Sequence, residues 1–444
     1  MISVADDQIL FVAPSAYPLG GVAVWLHYLI EGLMKKGVAC HLGLLDGQYH
    51  QVDKYLAEYS FSCNIVKIKS AMNTRYGRVA AIKKAATNVS ATMVVSVNIP
   101  DVFEAVTQLK LEGRKIRSVM TLHALEPAYF QNISEMKSQI DAIVVTNELT
   151  RKMVNCYAGF DNDRIFYAPY GVEVSDVLEQ KTCTTPVTIS YVGRLDQCQK
   201  RCMDLLQFVA NLEAADIDYK LQIIGDGGQK KQLLEQMSGY IDKKNVAYLG
   251  VISNEELMGS VLSKTDVLIL TSRWETGPIV IWEAMSLGVV VLSSRYVGSQ
   301  SEKALIHKYN CLLFDVGDTH QATNELSYLF NDENFQTLQR NGYELVKSRY
   351  SREFSVRAWE NTFKTIAGIK DIELSGSRVK QWLSNGKIER IFGHKLGHFI
   401  RLMSGRSAYS NGAGSEWPHT YSQISCHEKK KFNDMLLLVE SGKD

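Results

Sequence analysis

The stretch VLILTSRWETGPIVIWEAMSLGVVVL, residues 267–292, decides how the chain is read. Its two apolar runs, 267–270 and 289–292, are continuous rather than alternating, as expected of strands buried on both faces of a parallel sheet. Between them Pro278 suits the first turn of a helix, Thr276 or Gly277 its cap, and Gly288 its C-terminal stop. The unit is strand, loop, helix, strand. Glu275 falls in the loop at the strand end, and Glu283 lies about one and a half turns into the helix. Ile279 and Glu283 share a face four residues apart, so a carboxylate occupies a stripe that should be partly covered. So placed, it can accept hydrogen bonds from sugar or ribose hydroxyls.

The same alternation runs outward in both directions. Upstream in the second half, strands are predicted at 187–192, 219–224 and 246–249, with helical patterns at 203–212 and 229–237. The first half repeats the theme with apolar strands at 9–13, 39–45, 93–97, 118–123 and 142–146. Residues 176–186, DVLEQKTCTTP, lose periodicity and end in a proline, which makes them the candidate linker. The expectation is α/β with two Rossmann-like, doubly wound domains, residues 1–183 and 184–350. A closing helix (351–368) and an extension (369–444) follow. Ligands of such sheets bind beyond the carboxyl ends of the strands, so the site is expected in a cleft between the domains.

Composition narrows the class. The 444 residues carry 49 Lys+Arg against 48 Asp+Glu, a net charge of +1, which argues against a nucleic-acid binder held by its overall field. The start MISVADDQILFVAP has no basic n-region, and no apolar run approaches the ~18 residues of a membrane span. The expected location is cytoplasmic, at most peripheral at the membrane face. Eight cysteines lie scattered without the CxxC pairs of zinc sites, and Cys198 and Cys202 read as ordinary thiols.

Three further loops at strand ends carry unusual residues. Gly20-Gly21 lies between the first strand and a helix over 23–36, where backbone N–H groups can approach an anion; a tight turn needs glycines as well. After Gly193 comes Arg194-Leu-Asp-Gln-Cys-Gln-Lys200-Arg201, cations that an anion such as a phosphate would neutralise, or else a solvated turn. Gly225-Asp226-Gly227 is another glycine-rich turn. Asp161-Asn162-Asp163 and Asp216-Ile217-Asp218 read as polar surface turns rather than Mg²⁺ sites.

Together Glu275 and Glu283 in E-x7-E, Gly20-Gly21, Gly193-Arg194 with Lys200, Gly225-Asp226-Gly227 and Pro169-Tyr-Gly171-Val172 resemble the retaining GT-B glycosyltransferases of family 4, over roughly residues 8–367. The resemblance implies a nucleotide-diphosphate sugar donor (UDP-, GDP- or ADP-), no cofactor and no metal. It implies that Arg194 and Lys200 grip the diphosphate, with the Gly20-Gly21 loop approaching from the other domain. Glu283 would bind the ribose, Glu275 the hydroxyls of the transferred sugar, His123 would line the sugar pocket, and the backbone of Val251 and Ile252 would meet the base. Gly225, Gly277, Pro278 and Ile279 complete the implied donor site. Here Gly277-Pro278 replaces the family's commoner aromatic-proline pair, and Arg201 could share the phosphate role.

Two other functions fit parts of the pattern. A glycoside hydrolase could use Glu275 and Glu283 as paired carboxylates, but would have no use for Arg194 and Lys200. A non-catalytic nucleotide-sugar binder is the other. In the extension, residues 375–406 hold seven cations and one anion interleaved with Ile388, Ile391, Phe392, Leu396, Phe399, Ile400 and Met403. Such a basic amphipathic helix either lies on an anionic membrane surface or packs its apolar stripe on the second domain. On the membrane, it would favour a glycan or lipid-linked acceptor in cell-surface polysaccharide synthesis.

Overall fold

The computed structural model describes residues 7–17, 20–372, 387–408 and 411–441. Its strands form two wholly parallel sheets. The first contains β1 (Gln8–Ala13), β2 (Ala39–Asp46), β3 (Asn64–Lys69), β4 (Met93–Val97), β5 (Arg117–Leu122), β6 (Ala142–Val145) and β7 (Ile165–Tyr167), in the order β3-β2-β1-β4-β5-β6-β7. The second contains β8 (Val187–Val192), β9 (Tyr219–Ile224), β10 (Val246–Gly250), β11 (Val267–Leu270), β12 (Val290–Ser294) and β13 (Leu312–Phe314), in the order β10-β9-β8-β11-β12-β13. Each sheet reverses its winding once, between β1 and β4 and between β8 and β11. Those switch points are where open α/β sheets take ligands.

The predicted strands are all present within one or two residues at their ends. Three others escape the apolar rule. β3 is a partly exposed edge in which Lys67 and Lys69 interrupt the pattern, and β7 and β13 are three residues each. The central strands are buried because helices cover both faces. On the second sheet one core gathers Ile189, Leu221 and Phe208, and the other gathers Leu268, Trp282 and Tyr350, the last two rings stacked at 3.9 Å.

The chain divides into two compact units. One comprises Met1–Thr146, Thr150–Ala168 and Val356–Met435, and the other Asn147–Leu149, Pro169–Ser355 and Leu436–Asp444. Residues just after Pro169 join the second unit because Val172 exchanges backbone hydrogen bonds with Tyr350 and Arg352, at 2.8 and 2.9 Å. The helix Arg352–Gly368 starts in the second unit and continues in the first, where Trp359 packs on Trp25 at 5.0 Å.

Most of the extension belongs to the first unit. Trp417 is fully buried in the core between the sheet and the helices Arg75–Asn88 and Asp101–Leu111, beside Leu10, Val94 and Val102. Upstream, the expected single amphipathic helix is in fact broken. Helix Lys387–Ser404 bends at Gly393, whose φ of +75° a helix cannot hold, and residues 375–386 lie outside the described residues. Its inward side is polar: Arg401 is ion-paired to Glu389, and His398 pairs with Thr74 at 2.7 Å on helix Arg75–Asn88 of the first unit. Ile391, Phe392, Leu396, Phe399 and Met403 point outward, Ile391 74% and Met403 91% exposed. Among the described residues no helix is long and apolar enough to cross a membrane.

Candidate functional site

In the second unit the loops leaving β8, β9 and β10 are bonded to one another in sequence. Gly193 donates its N–H to Ile224 at 3.0 Å, Leu195 to Asp226 at 2.9 Å, and Gly225 to Gly250 at 2.8 Å. This close approach requires the glycines. Gly225 sits at φ +131°, and a Cβ there would lie 2.0 Å from the Gly193 carbonyl oxygen; one on Gly227 would lie 2.4 Å from that of Leu195. The glycine-rich turn is thus fixed by loop packing.

Over this floor runs the loop 194–201, stitched to the loop that follows β11. Thr271 donates to the Lys200 carbonyl at 2.7 Å, Arg273 N–H to that of Gln199 at 2.7 Å, and the Gln199 amide to that of Trp274 at 3.2 Å. The stitching brings together two residues 75 apart in sequence. Lys200 Nζ lies 2.6 Å from Glu275 Oε1, their side chains 16% and 6% exposed, and Ser272 donates to the same carboxylate oxygen. A nearly dry ion pair at a strand end is costly to build unless both charges are needed there. Arg194 is more open. Its guanidinium meets Asp196 at 3.2 Å and donates to Gln199 Oε1 at 2.6 Å, leaving a broad face toward solvent. Arg201 donates twice to Asp204, at 2.7 and 3.0 Å.

Helix Ile279–Ser286 starts one residue later than expected. Pro278 itself is the cap, in extended conformation, and Gly277 takes φ +92°, a left-handed turn that aims the chain into the helix. Leu287 ends the helix and Gly288 turns out of it at φ +70°, as its position predicts. Glu283 is half-buried and accepts from Asn254 Nδ2 at 2.9 Å. Burial raises its carboxyl above the usual range, opposed by the Asn254 bond and the Arg352 charge. After β10, Val251 is exposed and Ile252 partly buried beside Leu257 and Ile281.

The first unit holds the remaining candidates. Gly20 caps helix Gly21–Lys35 through its carbonyl, which accepts from Ala23 and Val24, and as a glycine it has no side chain to add to the cap. His123 follows β5 and is buried. Thr121 spends its proton on the Ser96 carbonyl at 3.0 Å, so the ring Nε2 donates to Thr121 Oγ1 at 2.9 Å. With Trp25 packed on it at 4.5 Å, burial lowers His123 to about 3, and it is a neutral imidazole at ordinary pH.

The structure therefore gathers Arg194, Lys200 and Glu275 at one set of strand ends, with Glu283 on the following helix. Gly20, Gly21 and His123 lie at strand ends of the other unit. Sequence reasoning missed Gln199, Ser272 and Asn254, which hold the charged groups in place; lone polar residues in loops give no periodic or spacing signal. Among the described residues no three His, Cys, Asp or Glu side chains gather with metal-binding geometry. The two Asp-x-Asp triplets precede β7 and β9, at the amino rather than the carboxyl ends of their strands.

Known proteins resemble the chain in sequence and in fold. Residues 179–344 match the family model described as glycosyl transferases group 1. The chain is 24% identical over 293 residues to an N-acetyl-alpha-D-glucosaminyl L-malate synthase of Bacillus anthracis, covering 60% of this chain and 72% of the relative. It is 28% identical over 167 residues to a lipopolysaccharide 1,6-galactosyltransferase of Escherichia coli K12, covering 36% and 44%. Among solved structures, a lipopolysaccharide outer core galactosyltransferase in its apo form superposes with TM-score 0.65 at 17% identity, covering 81% of this chain and 99% of that one. Anabaena HepE in complex with UDP-glucose does so with TM-score 0.63 at 16%, covering 82% and 100%.

Proposed function

We propose, for a chain whose residues 179–344 belong to the glycosyl transferases group 1 family and whose two sheets make the GT-B fold, that it transfers a sugar from a nucleotide diphosphate with retention of anomeric configuration. The observation that carries this is the Lys200–Glu275 pair. It sets a cation for the diphosphate beside a carboxylate for the sugar hydroxyls, at the carboxyl ends of β8 and β11. When the sugar C1–O bond breaks, its electron pair moves to the leaving phosphate oxygen. Lys200 and Arg194 neutralise the charge that builds there, and the donor phosphate competes with Glu275 for the Lys200 ammonium. The acceptor hydroxyl attacks from the same face, its proton passing to the leaving phosphate oxygen. With two cations available for the diphosphate, the step needs no divalent metal. Glu283 is the ribose ligand, kept in place by Asn254.

The complex of HepE with UDP-glucose favours a uridine donor, with GDP- and ADP-sugars as alternatives. The lipopolysaccharide transferases among the relatives favour a glycan or lipid-linked acceptor in surface polysaccharide assembly. A hydrolase finds less support, since Glu275 is ion-paired to Lys200 and Glu283 is bonded to Asn254. The test is nucleotide release and thermal shift with UDP-, GDP- and ADP-glucose and their galactose counterparts. Wild type turns over one of these, and Lys200→Ala or Glu275→Ala loses transfer. Full activity in either variant refutes the site, and an inverted product anomer refutes retention.

The outward apolar face of helix Lys387–Ser404 is the surface on which the protein meets an anionic bilayer. Lys395 and Arg406 are exposed beside it, whereas Arg401 is consumed by Glu389. Flotation with phosphatidylglycerol-containing liposomes should be lost in Ile391→Glu/Phe399→Glu; equal flotation refutes the role.

A further inference from the structure

The C-terminal extension does more than cover the first unit. Its residues 416–421 run across the carboxyl ends of the first sheet, past the switch point between β1 and β4. Glu416 anchors the crossing: its carboxylate accepts from the N–H groups of Gln48 and Tyr49 at 2.6 and 2.7 Å and from His50 Nδ1 at 3.2 Å, all in the loop after β2. Trp417 donates to the Asp46 carbonyl at the end of β2. On the far side, Thr420 donates to the Ala128 carbonyl at 3.1 Å, and the Tyr421 hydroxyl bonds Asp101 at the start of the helix after β4.

Between these two anchors lies His419. Its ring stands 6.5 Å from that of Tyr17, the residue of the β1 loop just ahead of the Gly20-Gly21 turn, the two planes tilted by 47°. Tyr17 is 59% exposed, unusual for a large aromatic beside a fixed segment, while His419 is half-buried. Burial lowers His419, and the nearby His50 lowers it further, so its neutral ring offers one donor and one acceptor. The Tyr129 phenol lies within electrostatic reach of Tyr17. Aromatic faces with a neutral hydrogen-bonding edge suit the C–H faces and hydroxyls of a sugar ring.

We propose that the Tyr17–His419 ring pair, completed by the chain's own extension, is the acceptor subsite and takes a sugar ring of the acceptor. This rests on the protein being a glycosyltransferase. The choice of acceptor is then written partly in residues 416–421 and not only in the two sheets.

The test uses the full-length protein and the nucleotide sugar that wild type turns over. Acceptors are p-nitrophenyl β-D-glucoside, β-D-galactoside and N-acetyl-β-D-glucosaminide. Tyr17→Ala and His419→Ala should each raise the acceptor KM at least tenfold while the donor KM stays within twofold. Tyr17 is exposed, so its variant keeps the test valid should loss of His419 disturb the crossing. An unchanged acceptor KM in Tyr17→Ala, or a wild type that turns over donor but is accelerated by none of the glycosides, overturns the subsite. A wild type that releases nucleotide from no donor overturns the transferase assignment itself, and the subsite with it.

Discussion

Replacing Lys200 with Met removes the charge but keeps the aliphatic stem that lies against Gly193. The Glu275 carboxylate, 6% exposed, then retains Ser272 as its remaining partner at Oε1 and no counter-charge there. Breaking a buried pair from one side costs about 3 to 5 kcal/mol; with Lys200 16% exposed and the Ser272 bond preserved, the lower end, about 3 kcal/mol, applies. For a unit of this size each kcal/mol lowers the melting midpoint by about 2–4 °C, giving a fall of roughly 6–12 °C by calorimetry. Glu275→Gln added to Lys200→Met removes the stranded charge and should recover most of that loss. Activity should follow a different course: each variant loses on the order of 10²- to 10³-fold in transfer, and the double variant regains none of it. A fall below 2 °C for Lys200→Met, or no recovery in the double variant, would refute the claim that the two charges are held as a desolvated pair.

Gly225→Ala should disrupt the packed loops after β8 and β9, at a cost above about 2 kcal/mol by denaturant melts, because the new Cβ meets the Gly193 carbonyl at 2.0 Å from a φ of +131°. His123 has a folded pKa of about 3, below its unfolded value, so it contributes stability that is complete above about pH 6.5 and is lost as pH falls toward 3, at up to about 1.4 kcal/mol per pH unit. Urea melts of His123→Asn against wild type between pH 7 and 4 should show that slope reduced, and equal slopes would count against a buried neutral ring. Trp417→Ala should cost the first unit about 3–5 kcal/mol, since its ring is wholly buried against Leu10 and Val94; a shift under 1 kcal/mol would mean the extension is dispensable.

Much of this was legible in the chain because the governing signals are local. Continuous Val, Ile and Leu runs mark strands that helices cover on both sides, and Pro278 and Gly288 bracket a helix by their backbone restrictions. Edge strands fail that test: β3 faces solvent and carries lysines, so nothing distinguishes it from a loop. Glu275 and Lys200 could be named as candidates from their loops, yet their pairing could not, since it depends on how loops 75 residues apart are stitched through Thr271 and Gln199. The tail shows the opposite error. Its apolar and basic residues do alternate at helical spacing, but Gly393 breaks the helix and the buried side is the polar one. Trp417 stands in a short irregular segment, where no period announces that it fills the core of a sheet some 300 residues earlier.

That placement sets an order of events during synthesis. Residues up to Ala168 emerge about 250 residues before Trp417, which at roughly 5–20 residues per second is on the order of 10 to 50 s. Throughout that interval the first sheet has its strands but lacks the indole that seals one side of it, and an open apolar gap remains beside Leu10 and Val94. The second unit's sheet ends with β13, and the core that stacks Trp282 on Tyr350 is complete once residue 350 has left the ribosome, about 70 residues before Trp417. A nascent chain stalled before residue 417 should therefore hold a closed second sheet and a still-permeable first one, reversing the usual expectation that the N-terminal half matures first.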